Sequence, residues 1–343
     1  MEQNLLQQGP LLDKKGHLIE AGYAFDLVKQ YDRKAIKAPK WRIKEWDYYY
    51  IGNNHYGIAI TIDDNSYMGL ASVSLLNFDK PNYITRSSMR LFTNGKINLP
   101  SSSANGVSYW KDKNYEIKIV TENRKRLIDL EVKNYVDKKG LLAHFELTEK
   151  VDGSMVIATP FPKKPKHFYY NQKINNMVAT GYFFFNDERI YFSEEDTRAV
   201  LDWGRGVWTY KNTWYWSSLN AKNNGHEVGF NFGYGFGDLK AASENMLFYD
   251  GKAYKLKDVT FNVPRDSKGN YRVMQKWTIT SKDGGIDLTF EPIIDRKDST
   301  NFIVLKSIQH QVFGKFSGKI KVDDLEVEIV DAVSFAEIVT NWW

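Results

Sequence analysis

Short runs in which apolar residues occupy every second position constrain this fold more than any other feature of the sequence. Residues 58–62 carry isoleucine at alternate positions, and residues 128–132 alternate apolar with acidic side chains. Alternation with this period is typical of a β-strand that has one buried face. Turn-forming clusters such as residues 63–65 and 137–140 separate the runs. The pattern predicts an all-β sandwich or barrel built from short antiparallel strands.

The 343 residues are enough for about two domains, and the sequence has two halves with related patterns. Trp46 begins an aromatic strand that is followed by a turn and a second apolar strand, and Trp214, 168 positions later, begins the same order. We therefore predict a tandem pair of lipocalin-like antiparallel β-barrels. Residues 1–40 form an irregular lead-in with at most one short helix, residues 41–200 form the first barrel, and residues 201–343 form the second.

The expected strands in the middle and at the end of the chain are less regular. Residues 160–166 contain three prolines and three lysines. The segment 160–165 is therefore expected to interrupt the first meander after residues 155–158. A hairpin is expected at residues 182–192. In the second half, residues 302–308, 315–322 and 326–329 are predicted as separate strands.

Composition excludes several kinds of site. The chain has no cysteine, so thiol nucleophiles and Cys-based zinc sites are excluded, and its six histidines are scattered. The glycines of residues 229–237 lack the spacing of a dinucleotide-binding loop. We therefore expect no metal and no cofactor.

The charge pattern and the hydropathy pattern bear on partners and location. The formal charge of +5 is dispersed along the chain, so we expect no nucleic-acid partner. No apolar run approaches the ~20 residues of a bilayer span, and we expect no stable membrane insertion. The first residues show no basic region followed by an apolar core, so a cytoplasmic location is expected. Nothing in the sequence indicates the oligomeric state.

The segment 202–216 has the highest density of aromatic residues. It holds four tryptophans, two tyrosines, two glycines, and the pair Asp202 and Arg205. We interpret the segment as the junction where one barrel closes and the next opens. Asp202 and Arg205 are close enough in sequence to form a structural ion pair, or Asp202 faces a cavity walled by aromatic rings.

Several motifs carry a family resemblance. They are residues 44–49 (Lys-Glu-Trp-Asp-Tyr-Tyr), residues 202–208 (Asp-Trp-Gly-Arg-Gly-Val-Trp), residues 231–237, Glu244-Asn245, residues 335–337 and Trp342. Together they resemble the bacterial family catalogued as domain of unknown function 2804, across nearly the whole chain. More distantly, the layout resembles two-barrel calycin-like proteins, which include carotenoid hydratases. The wider pattern of an acid followed by Trp-Gly is matched at Asp202, without the histidine that often follows the acid there.

The sequence supports three alternative functions. The first is binding of a hydrophobic, lipid-like or isoprenoid-like small molecule in a barrel or between the barrels. The second is a cofactor-independent hydratase or isomerase that acts on such a ligand, since an apolar cavity raises the pKa of a carboxyl group and makes it a usable general acid. The third is a glycan-binding module with exposed tryptophans.

The candidate site residues follow from the acid and aromatic motifs. The candidate acids are Asp202, Glu244 and Glu337. The candidate ligand contacts are Trp46, Tyr48, Arg205, Trp208, Tyr210, Trp214, Trp216, Asn231 and Asn245.

Overall fold

The computed structural model describes residues 3–301 and 306–342, and this part of the chain is built almost entirely from β-strands. It has no α-helix, and two 3-10 turns lie at Arg33–Ala35 and Lys40–Arg42. The strands up to the crossing between sheets are β1 (Gly9–Pro10), β2 (Gly22–Ala24), β3 (Lys29–Gln30), β4 (Ile43–Gly52), β5 (Tyr56–Asp64), β6 (Met68–Asn77), β7 (Asn82–Leu91), β8 (Gly106–Lys111), β9 (Tyr115–Glu122), β10 (Lys125–Val136), β11 (Lys139–Thr148), β12 (Met155–Phe161), β13 (Lys164–Phe185), β14 (Glu188–Phe192) and β15 (Arg198–Val207). The remaining strands are β16 (Lys211–Asn223), β17 (His226–Tyr234), β18 (Met246–Tyr249), β19 (Lys252–Lys255), β20 (Thr260–Asn262), β21 (Trp277–Thr280), β22 (Ile286–Asn301), β23 (Lys306–Val322) and β24 (Leu325–Trp342).

Apart from β1 and β3, which form a small parallel pair, the strands form two curled antiparallel sheets that repeat one topology. The first sheet has the order β7-β6-β5-β4-β15-β13-β11-β10-β9-β8, with β2, β12 and β14 attached beside it. The second has the order β19-β18-β17-β16-β24-β23-β22-β21-β20. In both sheets, the last strand of the half returns to pair with the first long strand, β15 with β4 and β24 with β16. The prediction of an all-β tandem barrel fold is confirmed.

Buried apolar side chains form three clusters. One fills the inside of the first curled sheet and a second fills the inside of the other. The third joins the two sheets and is rich in aromatic rings, including Tyr48, Trp208, Trp216, Phe313 and Phe335. Large rings suit this position because each buries a large apolar area against a neighbour on the facing sheet. The aromatic content of the sequence is therefore concentrated where the halves meet.

The chain passes between the sheets at residues 208–210. Strand β15 runs through the expected boundary at residues 200 and 201, and all its pairs lie in the first sheet. The expected lead-in contains β2, which pairs with β12 of the first sheet, and β3, which pairs with β1. The division into 1–40, 41–200 and 201–343 stays a prediction.

The prediction of an interruption at residues 160–165 is wrong. Strand β12 continues to Phe161, β13 begins at Lys164, and a tight turn joins them. Most of β13 was not predicted as a strand. Residues 171–176, Asn-Gln-Lys-Ile-Asn-Asn, are nearly all polar, and yet they are buried in this strand. The last strands are longer than expected, since β23 and β24 are each continuous. Of the strand predicted at 302–308, residues 302–305 lie outside the described residues.

Candidate functional site

A cleft with two adjoining chambers lies between the sheets. The inner chamber has a volume of about 160 Å³ and the outer one about 480 Å³. Thr61, Asp63, Asp202, Trp216 and Glu337 line both chambers. The inner chamber is otherwise lined by Trp46, Asn65, Tyr169, Lys173, Trp208, Trp214 and Phe236. Its wall is therefore mainly aromatic with a few polar groups, as is typical of a small-molecule site.

Strand register brings the two acids to equivalent places in the two halves. Asp202 on β15 lies opposite Tyr48 on β4, and Glu337 on β24 lies opposite Trp216 on β16. Tyr48 and Trp216 are separated by the same 168 positions as Trp46 and Trp214. The rings of Tyr48 and Trp216 also meet edge to face, with centroids 5.9 Å apart. The cleft is thus built from the same strand pair of each half.

Asp202 has a buried cation as its partner. Lys173, directly opposite it on β13, places its Nζ 2.9 Å from Oδ1 of Asp202, and the lysine side chain is 1% exposed. The side-chain amide of Asn171 donates to the same oxygen over 2.6 Å. The Lys173 ammonium also lies 4.0 Å from the ring centroid of Trp216, within cation–π distance. Asp202 is therefore held as a charge-compensated carboxylate.

Among the described residues, the hydrogen-bond partners of the Glu337 carboxyl group are both neutral donors. Nε1 of Trp214 donates to Oε1 over 2.9 Å, and Nε2 of Gln311 donates to Oε2 over 3.1 Å. No lysine or arginine within the described ranges forms an ion pair with Glu337. Burial raises the pKa of Glu337 to about 7, against the opposing effects of the Trp214 hydrogen bond and of the charges of Lys173 and Arg296, and the negative charge of Asp202 contributes to the rise. Glu337 can therefore exchange a proton near neutral pH.

Glu244 lies behind the wall of the cleft and lines neither chamber. Gly233 makes room for it, because a Cβ there would lie 2.0 Å from Oε1 of Glu244. Neither carboxyl oxygen has a hydrogen bond of normal geometry among the described residues. Burial raises the pKa of Glu244 to about 7, with Lys173 opposing the shift and Asp202 adding to it. Its charge also raises the pKa of the buried Tyr169 hydroxyl, for which burial is the larger cause.

The aromatic wall depends on one close approach of backbone and ring. Trp46 lies over Gly204, where a Cβ would be 2.0 Å from the indole Cζ2. The Trp46 ring stacks on Tyr169 with centroids 6.2 Å apart, and Trp208 meets Trp214 edge to face at 5.3 Å. Trp46, Trp208 and Trp214 thus form three sides of the inner chamber.

Arg205 does not pair with Asp202. It is fully buried, and it lies 2.9 Å from Oδ1 of Asp47 and donates to the carbonyl oxygens of Trp46 and Pro100. Positions 202 and 205 differ by an odd number, so on a strand their side chains point to opposite faces. Arg205 lines neither chamber, and the suggested pair with Asp202 is replaced by the pairs Arg205–Asp47 and Lys173–Asp202.

Three further candidates lie outside the chambers described above. Tyr210, in the segment that crosses between sheets, is 47% exposed. Asn231 accepts from the Trp216 indole over 2.7 Å and donates to the carbonyl of Glu244, so it holds two parts of the wall. Asn245 accepts from the Gly233 amide and donates to the carbonyl of Lys257, so it shapes the loop that carries Glu244. Their roles as ligand contacts stay predictions.

Sequence reasoning missed Lys173, Gln311 and Asp63. Burial raises the pKa of Asp63, which lines both chambers, to about 7, and the Leu70 amide donates to it over 2.9 Å. The polar residues 171–176 between aromatic strands were the available signal, because a buried strand is normally apolar. In residues 3–301 and 306–342 no three His, Asp or Glu side chains are grouped to hold a metal ion. The same ranges contain no helix with the length and apolar character of a membrane span.

Comparison with known proteins identifies the family. The profile described as "Domain of unknown function (DUF2804)" matches residues 2–343. The chain belongs to this family. A search of curated protein sequences gives no significant match.

Two solved structures have a similar fold. One is kievitone hydratase from Nectria haematococca, with 12% identity, coverage of 88% of each chain and a TM-score of 0.50. The other is a protein from Nitrosomonas europaea provisionally assigned as AttH, with 11% identity, coverage of 90% of this chain and 96% of that one, and a TM-score of 0.54. At these identities the likeness concerns the fold alone.

Proposed function

We propose that this protein is a cofactor-independent hydratase or isomerase that binds a hydrophobic small molecule in the cleft between its barrels. The observation that carries the proposal is the difference between the two equivalent acids. Asp202 has a lysine ammonium at 2.9 Å, whereas Glu337 has an indole and an amide. One acid is therefore suited to remain ionised, and the other is suited to carry a proton into an aromatic chamber.

The dimensions of the cleft favour a ligand with one apolar ring or a branched apolar group. An apolar cavity of about 150 Å³ is known to hold benzene, and the inner chamber measures about 160 Å³. The outer chamber offers serine, threonine and charged side chains, and it is three times larger. An amphipathic molecule would place its apolar end among the tryptophans and its polar end in the outer chamber.

Glu337 acts as the general acid in this proposal. Its proton is added to one carbon of an alkene, and the carbon–carbon π bond breaks to leave a cation on the other carbon. The faces of Trp46, Trp208 and Trp214 stabilise that cation by cation–π attraction. In hydration, water adds to the cation and gives its proton to Asp202, from which Glu337 is reprotonated through the cleft. In isomerisation, a neighbouring carbon instead gives its proton to Asp202, and the electrons of that carbon–hydrogen bond form the new double bond.

The expected contribution of Glu337 is large enough to measure. A positioned general acid contributes about 10²–10⁴-fold to a rate, and efficiency is highest when its pKa is near the working pH. The pKa of Glu337, about 7, meets that condition. Because Asp202 keeps its lysine partner, loss of Glu337 should remove proton transfer without removing the charged pair.

The test begins with the ligand. Native mass spectrometry of protein purified from its own host identifies a co-purifying hydrophobic molecule, and that molecule is incubated with the enzyme in D₂O. We expect solvent deuterium to enter a carbon–hydrogen bond, and Glu337→Gln to lower the rate at least 100-fold with binding retained. Glu291→Gln, which changes an exposed acid paired with Lys276 outside the cleft, is the matched control. Equal exchange by wild type and Glu337→Gln would overturn the proposal.

Ligand binding without turnover is the second candidate. It is favoured by the enclosed aromatic wall, in which Trp208 and Trp216 are almost wholly buried. A bound molecule that exchanges no deuterium with the wild-type enzyme would select this function. The glycan-binding alternative requires an open groove of exposed tryptophans, and the burial of these two rings gives it no support.

A further inference from the structure

Arg296 on β22 lines the outer chamber in the same cross-strand row as Glu337. Arg296 lies opposite Gln311, and Gln311 lies opposite Glu337. Neighbouring strands are about 4.8 Å apart, so the backbone positions of Arg296 and Glu337 are about 10 Å apart on one face of the sheet. The arginine therefore faces the outer chamber on the same side as the acid.

The guanidinium of Arg296 forms no ion pair with a carboxylate in the described part of the chain, although its charge lowers the pKa of Glu337. Its only hydrogen bond there runs from Nη1 to the hydroxyl of Ser74 over 2.8 Å, and Nε has no acceptor. The adjacent Asp295 is engaged by His310 at 2.8 Å instead. Asp298 also lines the outer chamber but forms no ion pair with Arg296. A half-buried arginine with unused donors is suited to bind an anion, because its planar fork matches carboxylate and phosphate geometry.

We propose that Arg296 binds an anionic group of the ligand, so that the substrate class is an amphipathic anion whose apolar end lies in the inner chamber. This inference rests on the proposed function for the position of the reacting carbon beside Glu337. Because the backbone positions of Glu337 and Arg296 are about 10 Å apart, the ligand needs a spacer between its apolar end and its anion. The exposed Lys297, which lines the same chamber, adds positive charge at its mouth.

A structural role for Arg296 is the competing explanation, since its bond to Ser74 ties β22 to β6 of the other sheet. The two roles predict different results. A tie between sheets changes stability and affects every ligand equally. An anion site changes affinity only for ligands that carry the charge.

The experiment compares 6-phenylhexanoate, 6-phenylhexyl phosphate and the neutral 6-phenylhexanamide by isothermal titration calorimetry on the full chain. We expect wild type to bind at least one of the two anions tenfold or more tightly than the amide, because a charge-assisted hydrogen bond contributes about one to two powers of ten in affinity. A preference for the phosphate over the carboxylate, or the reverse, identifies the anion.

Two variants and one control separate the roles. Arg296→Gln should abolish the anion preference and leave amide affinity unchanged, whereas Ser74→Ala, which keeps the guanidinium, should retain the preference. Arg265→Gln, on the exposed surface, is the control. The inference would be overturned if the wild type bound the anions and the amide with equal affinity, or bound none of the three. It would also be overturned if Arg296→Gln lowered the affinity for all three probes equally. The calorimetry measures binding and not turnover. An anion preference of the wild type, together with the absence of deuterium exchange, would therefore overturn the proposed function and leave this inference standing.

Discussion

The two halves of the cleft place the same strand pair in different electrical surroundings. In the first half, Lys173 stands opposite Asp202, and in the second, Gln311 occupies the position opposite Glu337. The ammonium neutralises its acid, whereas the amide only donates a hydrogen bond. A duplicated scaffold can thus hold one acid beside a cation and the equivalent acid beside neutral donors. The difference lies in one partner residue on each side, so each partner can be exchanged to test it.

The largest effect is expected from Lys173→Met. Removing one partner of a buried ion pair leaves an uncompensated charge and costs about 3–5 kcal/mol. The loss of stability should be smaller at pH 5 than at pH 8. Glu244 and Glu337 also interact with the charge of Lys173, and their pKa values lie near 7, so both become neutral at the lower pH. Urea unfolding at the two pH values measures both quantities.

Controls for this variant come from the surface and from the partner acid. Lys276→Met removes an exposed lysine paired with Glu291 and should change stability by less than about 0.5 kcal/mol. The double variant Lys173→Met with Asp202→Asn should recover part of the loss. Equal stability of Lys173→Met and Lys276→Met would show that the two halves do not differ as described.

Glu337→Gln should change stability in the opposite direction at high pH. The folded-state pKa of Glu337, about 7, lies above the ordinary value of 4.5, so folding binds a proton between these values. Wild-type stability therefore falls as the pH rises from about 4.5 to about 7. The variant lacks this loss and should be more stable than wild type at pH 8 by up to about 3 kcal/mol, with little difference at pH 4.5.

Asp202→Asn is the matched variant in the other half. It leaves Lys173 buried without its counter-charge and should lower stability at pH 8. The pH dependence of the unfolding free energy compares the two. If Glu337→Gln and Asp202→Asn move stability at pH 8 in the same direction, the assignment of the raised pKa to the acid of the second half is wrong.

Gly204→Ala tests the steric side of the comparison. The second half has Val339 where the first has Gly204, since Trp46 pairs with Gly204 and Trp214 with Val339. A Cβ at position 204 collides with the Trp46 indole, so the ring must move. We expect a loss of about 1–3 kcal/mol, typical of overpacking, with a shift in tryptophan fluorescence. An unchanged emission spectrum together with unchanged stability would contradict the close packing of Trp46.

The sequence predicted what depends on local pattern. Alternation and turn residues indicated an all-β tandem fold, and the repeat of Trp46 at Trp214 pointed to strands that occupy equivalent positions. These signals are local because a strand places its side chains on alternate faces whatever lies beside it. The same rule was sufficient to separate Asp202 from Arg205, which lie on opposite faces of β15. Their closeness in sequence gave a misleading suggestion of a pair.

The partners of the acids were not predictable in this way. Lys173 meets Asp202 only because β13 and β15 pair in one register, and a shift by one residue would turn Lys173 to the other face. Gln311 and Glu337 depend in the same way on β23 and β24. Register is fixed by long-range packing of the whole sheet, which a single sequence does not reveal.

The smallest and most specific effect is expected from Gln311→Lys, which gives the second half the partner of the first. An ammonium opposite Glu337 favours the carboxylate, so the pKa of Glu337 should fall from about 7 by about one unit or more. The loss of stability between pH 4.5 and pH 7 should become shallower, and any proton transfer should have its optimum at lower pH. Gln311→Met, of similar length but without charge or donor, should shift the pKa upward. If both variants shift it in the same direction, the charge of the opposing residue does not determine which acid carries the proton.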